Sequence, residues 1–222
     1  DINNLLYVHI DRKRKQPATM LLRALGFHTN EEIISLFHEI ETVKLTKPGT
    51  KKYQELEETL EGRILAGDLT RDGEEEPFAK AGAIIDALLR ETILNSGVKE
   101  FKLVAAGEVT LNEPSLILNT LRKDPSRTQD EALRRFYSLL RPGDPPNEEV
   151  AKALFERLFF NEKRYDLAEV GRYKMNRRLS LDVDPKCTTL TPADFLAITH
   201  EMIGLFLGKR EIKGLAEIID EN

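Results

Sequence analysis

Apolar residues recur along the chain with two different periods, and the switches between them outline an α+β protein, mainly helical, with small β-sheet elements. Asn4 to Ile10 (NLLYVHI) is short and rich in aromatic and β-branched residues, as a strand requires. Pro17 then opens a helical stripe through Leu21, Leu22 and Leu25 that stops at Gly26. Thr29 with Glu32 makes a capping box for a second helix carrying Ile33, Ile34, Phe37 and Ile40, so the two form an αα-hairpin. Lys47-Pro48-Gly49 breaks that pattern, and Lys51 to Glu61 reads as polar helix or loop. A short strand at Arg63 to Gly67, a turn with an acidic flap at Arg71 to Glu76, and a helix from Lys80 to Ser96 follow. That helix is closed by Gly97, and Val98 to Ala105 alternates like a strand.

In the second half, Thr128 and Glu131 cap a helix whose Ala132, Leu133, Phe136, Tyr137 and Leu140 face a core while Arg134 and Arg135 point away. The helix runs into Arg141-Pro142-Gly143-Asp144-Pro145-Pro146. Three prolines fix φ there and Gly143 permits a tight reversal, so this tip joins neither flanking helix and has to project. Asn147 is a natural N-cap for the next helix, with Val150, Ala151, Leu154, Phe155, Leu158 and Phe159 as its buried stripe. Asp182 to Pro185 reads as a turn. A last helix starts at Thr191-Pro192-Ala193-Asp194, buries Phe195, Leu196, Ile198, Met202, Ile203 and Phe206, and ends at Gly208.

Composition narrows the class without identifying a function. The 41% apolar and 32% charged residues describe a globular chain, and no apolar run approaches the ~20 residues of a membrane span. Nothing near Asp1 reads as a signal peptide, and the single Cys187 fits a reducing compartment, so the expected location is the cytoplasm, with no membrane partner. The net charge of −5 conceals segregation: residues 31–120 hold 18 acidic against 10 basic side chains, whereas residues 121–180 hold 14 basic against 10 acidic. Any nucleic acid would therefore meet one face of the protein rather than its whole surface.

Two segments carry the candidate chemistry. Asp11-Arg12-Lys13-Arg14-Lys15 puts four cations in a row before Gln16-Pro17, either as a solvated strand-to-helix connection or as a nucleic-acid contact. Lys163-Arg164-Tyr165, Arg172-Tyr173-Lys174 and Arg177-Arg178 interleave cations with aromatic rings, a pattern suited to phosphates and stacked bases. Enzymatic constellations are missing. His9, His28, His38 and His200 lie in no metal-ligand spacing and read as ordinary structural or surface residues. Asp182 and Asp184 read as a turn rather than a metal pair, and neither a phosphate-binding glycine loop nor a Gly-x-Ser-x-Gly elbow is present.

Three stretches, in order, resemble the β subunit of bacterial multi-subunit RNA polymerase in its lobe domain. They are HIDRKRKQPATMLLRALGF (His9 to Phe27), LEGRILAGDL (Leu60 to Leu69), and TLRKDPSRTQDEALRRFYSLLRPGDPPNEEVAKALFERLFFNEKRYDLAEVGRYKMNRRL (Thr120 to Leu179). The resemblance implies a lobe domain of residues 1–45 and 115–222, interrupted by a peripheral acidic module at 46–114. It also implies that Leu140, Arg141, Pro142, Gly143, Asp144, Pro145 and Pro146 form a gate loop facing the opposing clamp across the DNA cleft. Arg141 and Arg164 match positions near the non-template strand of an opened promoter. Asp11, Arg12 and Arg14 match positions near its start-site end, and Lys13 and Lys15 are expected to contact phosphates instead. For Arg172, Lys174 and Arg177 the motif matches too, with structural ion pairing and DNA contact both open.

The same resemblance implies a part of a DNA-directed RNA polymerase, a nucleotidyltransferase, that carries no catalytic residue itself. Catalytic magnesium would be held elsewhere in the assembled enzyme and no cofactor here. Partners would be DNA, the remainder of β, the β′, α and ω subunits, and sigma factor. It further implies a segment that starts after the domain preceding the lobe and after an aromatic that wedges against an unstacked base, and Lys213 to Asn222 departs from the family pattern. The alternative class is a helical protein–protein adaptor whose basic face is incidental. Binding that survives high salt would mark the adaptor, because phosphate contacts weaken steeply with salt.

Overall fold

The computed structural model describes residues 3–10, 14–106 and 115–208, and Asp11, Arg12, Lys13 and the tail beyond Gly208 lie outside them. The chain divides into two compact units, Asp1–Ala132 and Leu133–Asn222. Among the described residues no helix is long and apolar enough to cross a membrane.

In the first unit, β1 (Tyr7–Ile10) and β2 (Arg14–Pro17) pair antiparallel, with Tyr7 opposite Pro17, His9 opposite Lys15 and Ile10 opposite Arg14. Arg14 and Lys15 therefore belong to a paired strand and not to a strand-to-helix connection. Pro17 closes the ladder, where no N–H is needed, and its extended φ/ψ of −54°/134° makes it the N-cap of α1 (Ala18–Ala24) rather than its first residue. Thr29 and Glu32 form the predicted capping box on α2 (Asn30–Phe37): the Thr29 hydroxyl accepts the Glu32 N–H at 3.1 Å and the Glu32 carboxylate accepts the Thr29 N–H at 3.0 Å. The helix ends at Phe37. Ile40, predicted on its stripe, starts β3 (Ile40–Lys44) instead.

The polar segment resolves as helix α3 (Lys51–Thr59), capped by Thr50 and burying none of its residues. The stretch predicted as a strand at Arg63–Gly67 and the first part of the helix predicted over Lys80 to Ser96, as far as Asp86, are irregular and joined by a single bridge, Ile64 to Ile84. Gly82 is the reason: at φ +89° it leaves the helical region, and its N–H donates to the Leu65 carbonyl at 2.7 Å. Ile84 and Ile85 consequently alternate, 40% and 0% exposed, as neighbours in an extended chain do. Helix α4 (Ala87–Asn95) starts only where Asp86 accepts the Leu89 N–H at 2.7 Å. β4 (Glu100–Val104) returns antiparallel to β3, pairing Ile40 with Val104 and Lys44 with Glu100. Leu60, Leu65, Leu69, Ile85, Ile93, Phe101 and Leu103 share one core beneath this ladder, with Val43 and Leu45 packed against it.

Helix α5 (Leu116–Lys123) holds the rest of the unit. It contacts α1 and α2 and buries Leu116, Ile117, Leu118 and Leu121. Its Thr120 hydroxyl accepts the Leu6 N–H at 2.9 Å, and the Ala18 N–H donates to the Leu6 carbonyl at 3.0 Å, so the β1–β2 hairpin is tied to both helices. Beside this, Arg23 is fully buried with its guanidinium donating to the carbonyls of His28 (2.6 Å) and Arg127 (3.2 Å) and to Asn30 Oδ1 (2.7 Å). Its Nε makes no hydrogen bond and lies 3.8 Å from Asp124 Oδ2. Burial pushes the Arg23 pKa down, and the Asp124 charge opposes that shift. Asp124 also accepts from the Thr19 hydroxyl at 2.8 Å and the Ser126 N–H at 2.9 Å.

The second unit is built on aromatic rings. Helices α6 (Gln129–Leu140), α7 (Glu148–Phe159), α8 (Ala168–Leu179) and α9 (Pro192–Phe206) follow in order, and α6 begins in the preceding unit. Phe136 on α6 meets Phe155 edge-on at 5.1 Å and Phe159 at 5.9 Å, and Phe159 meets Phe195 on α9 at 5.4 Å. Asn147 caps α7 as predicted, accepting the Glu149 N–H at 3.1 Å. The predicted stripe narrows to Ala151 and Phe155, with Val150 and Leu158 exposed, because the ring contacts select the 151–155–159 face. α9 starts at Thr191 as read, and Thr191 and Asp194 form a capping box there, while Ile198, Met202 and Phe206 of the predicted buried face are exposed.

Removing the Asp124 carboxylate leaves Arg23 buried without its counter-charge. Asp124→Ala is expected to lower stability by about 3–5 kcal/mol. Urea denaturation checks this, and an unchanged midpoint would show that the Arg23–Asp124 pair does not hold the α1–α5 contact.

Candidate nucleic-acid interface

The residues read from the sequence as DNA-facing fall into both units. In the first, Asp11, Arg12 and Lys13 lie outside the described residues. Arg14 is half-buried on β2, and Lys15 is exposed with its ammonium 3.9 Å above the centre of the Tyr7 ring. The pleat explains this contact. Tyr7 and His9 point to the same side of β1, and Lys15 stands opposite His9, so the ammonium lies diagonally over the ring.

In the second unit, α6 ends at Leu140 and every residue from Arg141 through Pro146 is exposed. The predicted projecting tip is thus at the surface, with Gly143 at φ +92° making the reversal. An exposed ion pair between Arg134 and Glu148 at 3.9 Å links the two helices that flank it, and contributes at most about 1 kcal/mol. Tyr137, assigned by its spacing to the core face of α6, also reaches the tip: its hydroxyl donates to Asp144 Oδ2 at 2.5 Å. That bond pushes the phenol pKa up, with burial acting in the same direction and the Arg141 charge against it. Helical periodicity placed the ring correctly but carried no sign of the hydroxyl's partner seven residues on, past a glycine and a proline.

After α7 the chain turns at Asn161, whose side chain accepts the Lys163 N–H at 2.9 Å and whose carbonyl accepts the Arg164 N–H at 2.9 Å. This leaves Arg164 and Tyr165 exposed. The cation–aromatic alternation farther on is wound into α8, where successive residues diverge by about 100°. Tyr173, Lys174 and Arg177 are exposed on its outer side.

Arg172 turns inward and is not a DNA contact. It is 0% exposed, and its guanidinium forks onto Asp194 at 2.6 and 3.0 Å. Its Nε donates to the Cys187 carbonyl at 2.7 Å, Nη2 also donates to the Thr189 carbonyl, and Nη1 touches Met175 Sδ at 3.8 Å. All five N–H groups are engaged, so none is left for a phosphate. Of the two readings open for this residue, ion pairing describes it. The hydrogen bonds it donates to Asp194 hold its pKa above the ordinary guanidinium range despite desolvation. Asp194 serves simultaneously as the third-residue partner in the α9 capping box, accepting the N–H of the N-cap Thr191 at 2.7 Å, so one carboxylate ties α8 to the start of α9.

Among the described residues no group of three or more His, Cys, Asp or Glu side chains could hold a metal ion. The turn read over Asp182 to Pro185 falls later, at Pro185–Lys186: Asp184 Oδ1 accepts the Lys186 N–H at 2.9 Å and the Asp184 carbonyl accepts the Cys187 N–H at 2.8 Å.

Comparison with known proteins assigns this architecture to a family. A family model described as RNA polymerase Rpb2, domain 2, matches residues 91–213. The DNA-directed RNA polymerase subunit beta of Flavobacterium johnsoniae is 36% identical over 96% of this chain. The corresponding subunits of Christiangramia forsetii and Phocaeicola vulgatus are 37% and 36% identical over the same share. The chain spans 17% of the length of each of these relatives.

Asp194→Ala is expected to cost about 3–5 kcal/mol by stranding the buried Arg172 charge, whereas Arg164→Ala, in an exposed turn, changes stability by less than about 0.5 kcal/mol. Thermal or urea unfolding of the two variants makes the comparison. Equal effects would contradict the separation of structural from surface arginines.

Proposed function

Because this chain belongs to the RNA polymerase Rpb2 domain 2 family, within the β subunit of bacterial-type DNA-directed RNA polymerases, we propose that it forms a wall of the DNA cleft of that enzyme. In this reading it guides the non-template and downstream DNA and carries the gate loop at Leu140 to Pro146, while catalysis and its magnesium belong to other parts of the assembly. Its partners are DNA, the remaining polymerase subunits and sigma factor, and its compartment is the cytoplasm, at the nucleoid.

The observation that carries the reading is the exposed tip. A segment with three fixed φ angles loses little conformational entropy when it meets DNA or an opposing wall. It presents Arg141, and Arg164 is exposed in the turn after α7 of the same unit. Arg14 and Lys15 add phosphate-binding capacity from the first unit. Lys174 and Arg177 stay in the proposed set and Arg172 leaves it. The acidic 31–120 stretch, with a core of its own, suits a position away from the polyanion, where its charge does not repel DNA.

Charge reversal at Arg141 or Arg164, placed in an assembled polymerase, is expected to shorten the lifetime of promoter open complexes. Removing one phosphate-binding cation should also reduce the slope of log affinity against log salt by about 1. Wild-type lifetimes and slopes in both variants would remove these arginines from the interface, and binding indifferent to salt would favour a protein–protein adaptor. The isolated chain is expected to incorporate no nucleotide in a template-directed assay. Synthesis by it alone would overturn the assignment of catalysis to other parts of the enzyme.

A further inference from the structure

The prolines stiffen individual residues of the tip but do not by themselves aim it. Proline fixes φ and leaves ψ free, and Gly143 at φ +92° has nothing within 4 Å of where a Cβ would sit, so packing does not hold the reversal in place. A short chain of hydrogen bonds closes the loop instead. The Arg141 N–H donates to the Tyr137 carbonyl at 2.8 Å, continuing α6 by one residue, and the Asp144 N–H donates to the Arg141 carbonyl at 3.4 Å. The Asp144 side chain then turns back to take the Tyr137 hydroxyl at 2.5 Å. Tyr137 is only 3% exposed and sits one residue after Phe136, whose ring is locked against Phe155 and Phe159. The hydroxyl therefore projects from an anchored ring, and Arg141 lies inside the cycle of hydrogen bonds that Tyr137 and Asp144 complete.

We propose that Tyr137 and Asp144 are positioning residues for Arg141: their hydrogen bond is a latch that fixes the direction in which the tip presents its guanidinium to DNA. The inference rests on the proposed role of the tip in DNA contact and adds the device that orients it. An unlatched tip would keep its prolines and its arginine. It would sample several orientations, so the contact would form less often and break sooner.

The test uses assembled polymerase with the full-length β subunit and five variants: Tyr137→Phe, Asp144→Ala, Asp144→Asn, Arg141→Ala, and Tyr137→Phe combined with Arg141→Ala. Phenylalanine keeps the ring and its packing, and Asp144 is exposed, so neither single change to the latch threatens the fold. Two readouts are taken, amide hydrogen exchange of the 137–147 segment without DNA and the lifetime of promoter complexes. Tyr137→Phe and Asp144→Ala are each expected to speed exchange at the tip and shorten complex lifetime roughly fivefold. Asp144→Asn, which keeps an acceptor oxygen, restores most of both. In the Arg141→Ala background Tyr137→Phe is expected to have no further effect on lifetime. Wild-type exchange and lifetime in Tyr137→Phe, with a shortened lifetime in Arg141→Ala, would overturn the latch and leave the DNA-contact reading standing. An equal loss from Tyr137→Phe with or without Arg141 would also overturn it, since the effect would not run through that residue. No loss from Arg141→Ala would remove the DNA-contact reading and the latch with it.

Discussion

The edge-to-face packing of Phe136, Phe155, Phe159 and Phe195 is the constraint on which the second unit depends. Rings in this geometry bury large apolar area and have a preferred approach angle, so they fix direction as well as distance. Phe136 lies near the C-terminal end of α6 and Phe155 two turns into α7, so the helices are clamped close to the residues that connect them. The chain between them has few residues in which to reverse, and Gly143 and the three prolines fit that demand. A projecting, fully exposed tip is the outcome of a well-packed base, and its proposed function as a DNA guide draws on the same rigidity.

Arginine plays two physically opposite parts in this protein. Arg23 and Arg172 are buried, which is tolerable only because carbonyls and carboxylates surround each guanidinium. Each joins segments distant in sequence: Arg23 the α1–α2 hairpin to the stretch after α5, and Arg172 helix α8 to the cap of α9. Arg141 and Arg164 lie in exposed turns, where solvent reaches the side chain. A count of cations between 121 and 180 mixes these two kinds, so local positive charge overstates the size of the interface. The proposed DNA-facing set is smaller than the basic composition suggests, and it is concentrated in turns and on the outer side of α8.

The structure also separates what anchors the basic hairpin from what the hairpin offers. Thr120 and Leu6 tie β1 to α5 by a backbone donor, while Lys15 rests over Tyr7 on the exposed side of the same strand pair. Under the proposed role, support and DNA-facing surface are carried by different residues, so a change on the exposed side would have little effect on the fold, and a change beneath it would have a large one.

The sequence by itself determined whatever depends on neighbours within about one helical turn. The capping box at Thr29, the start of the last helix at Thr191, the Asn147 cap, the hairpin of α1 and α2 and the projecting proline tip were all legible there, as was the family resemblance carried by contiguous motifs. Tertiary structure decided the features whose partners lie far away along the chain. Nothing around Gly82 announces that it will break a helical stripe, because the Leu65 carbonyl that holds it in an extended path lies 17 residues earlier. Arg172, one of three cations in a matching motif, is claimed by Asp194, 22 residues on. Periodicity records which way a side chain points from its own helix, whereas a salt bridge or a latch requires a second segment to arrive at the right place, and only the folded chain brings it there.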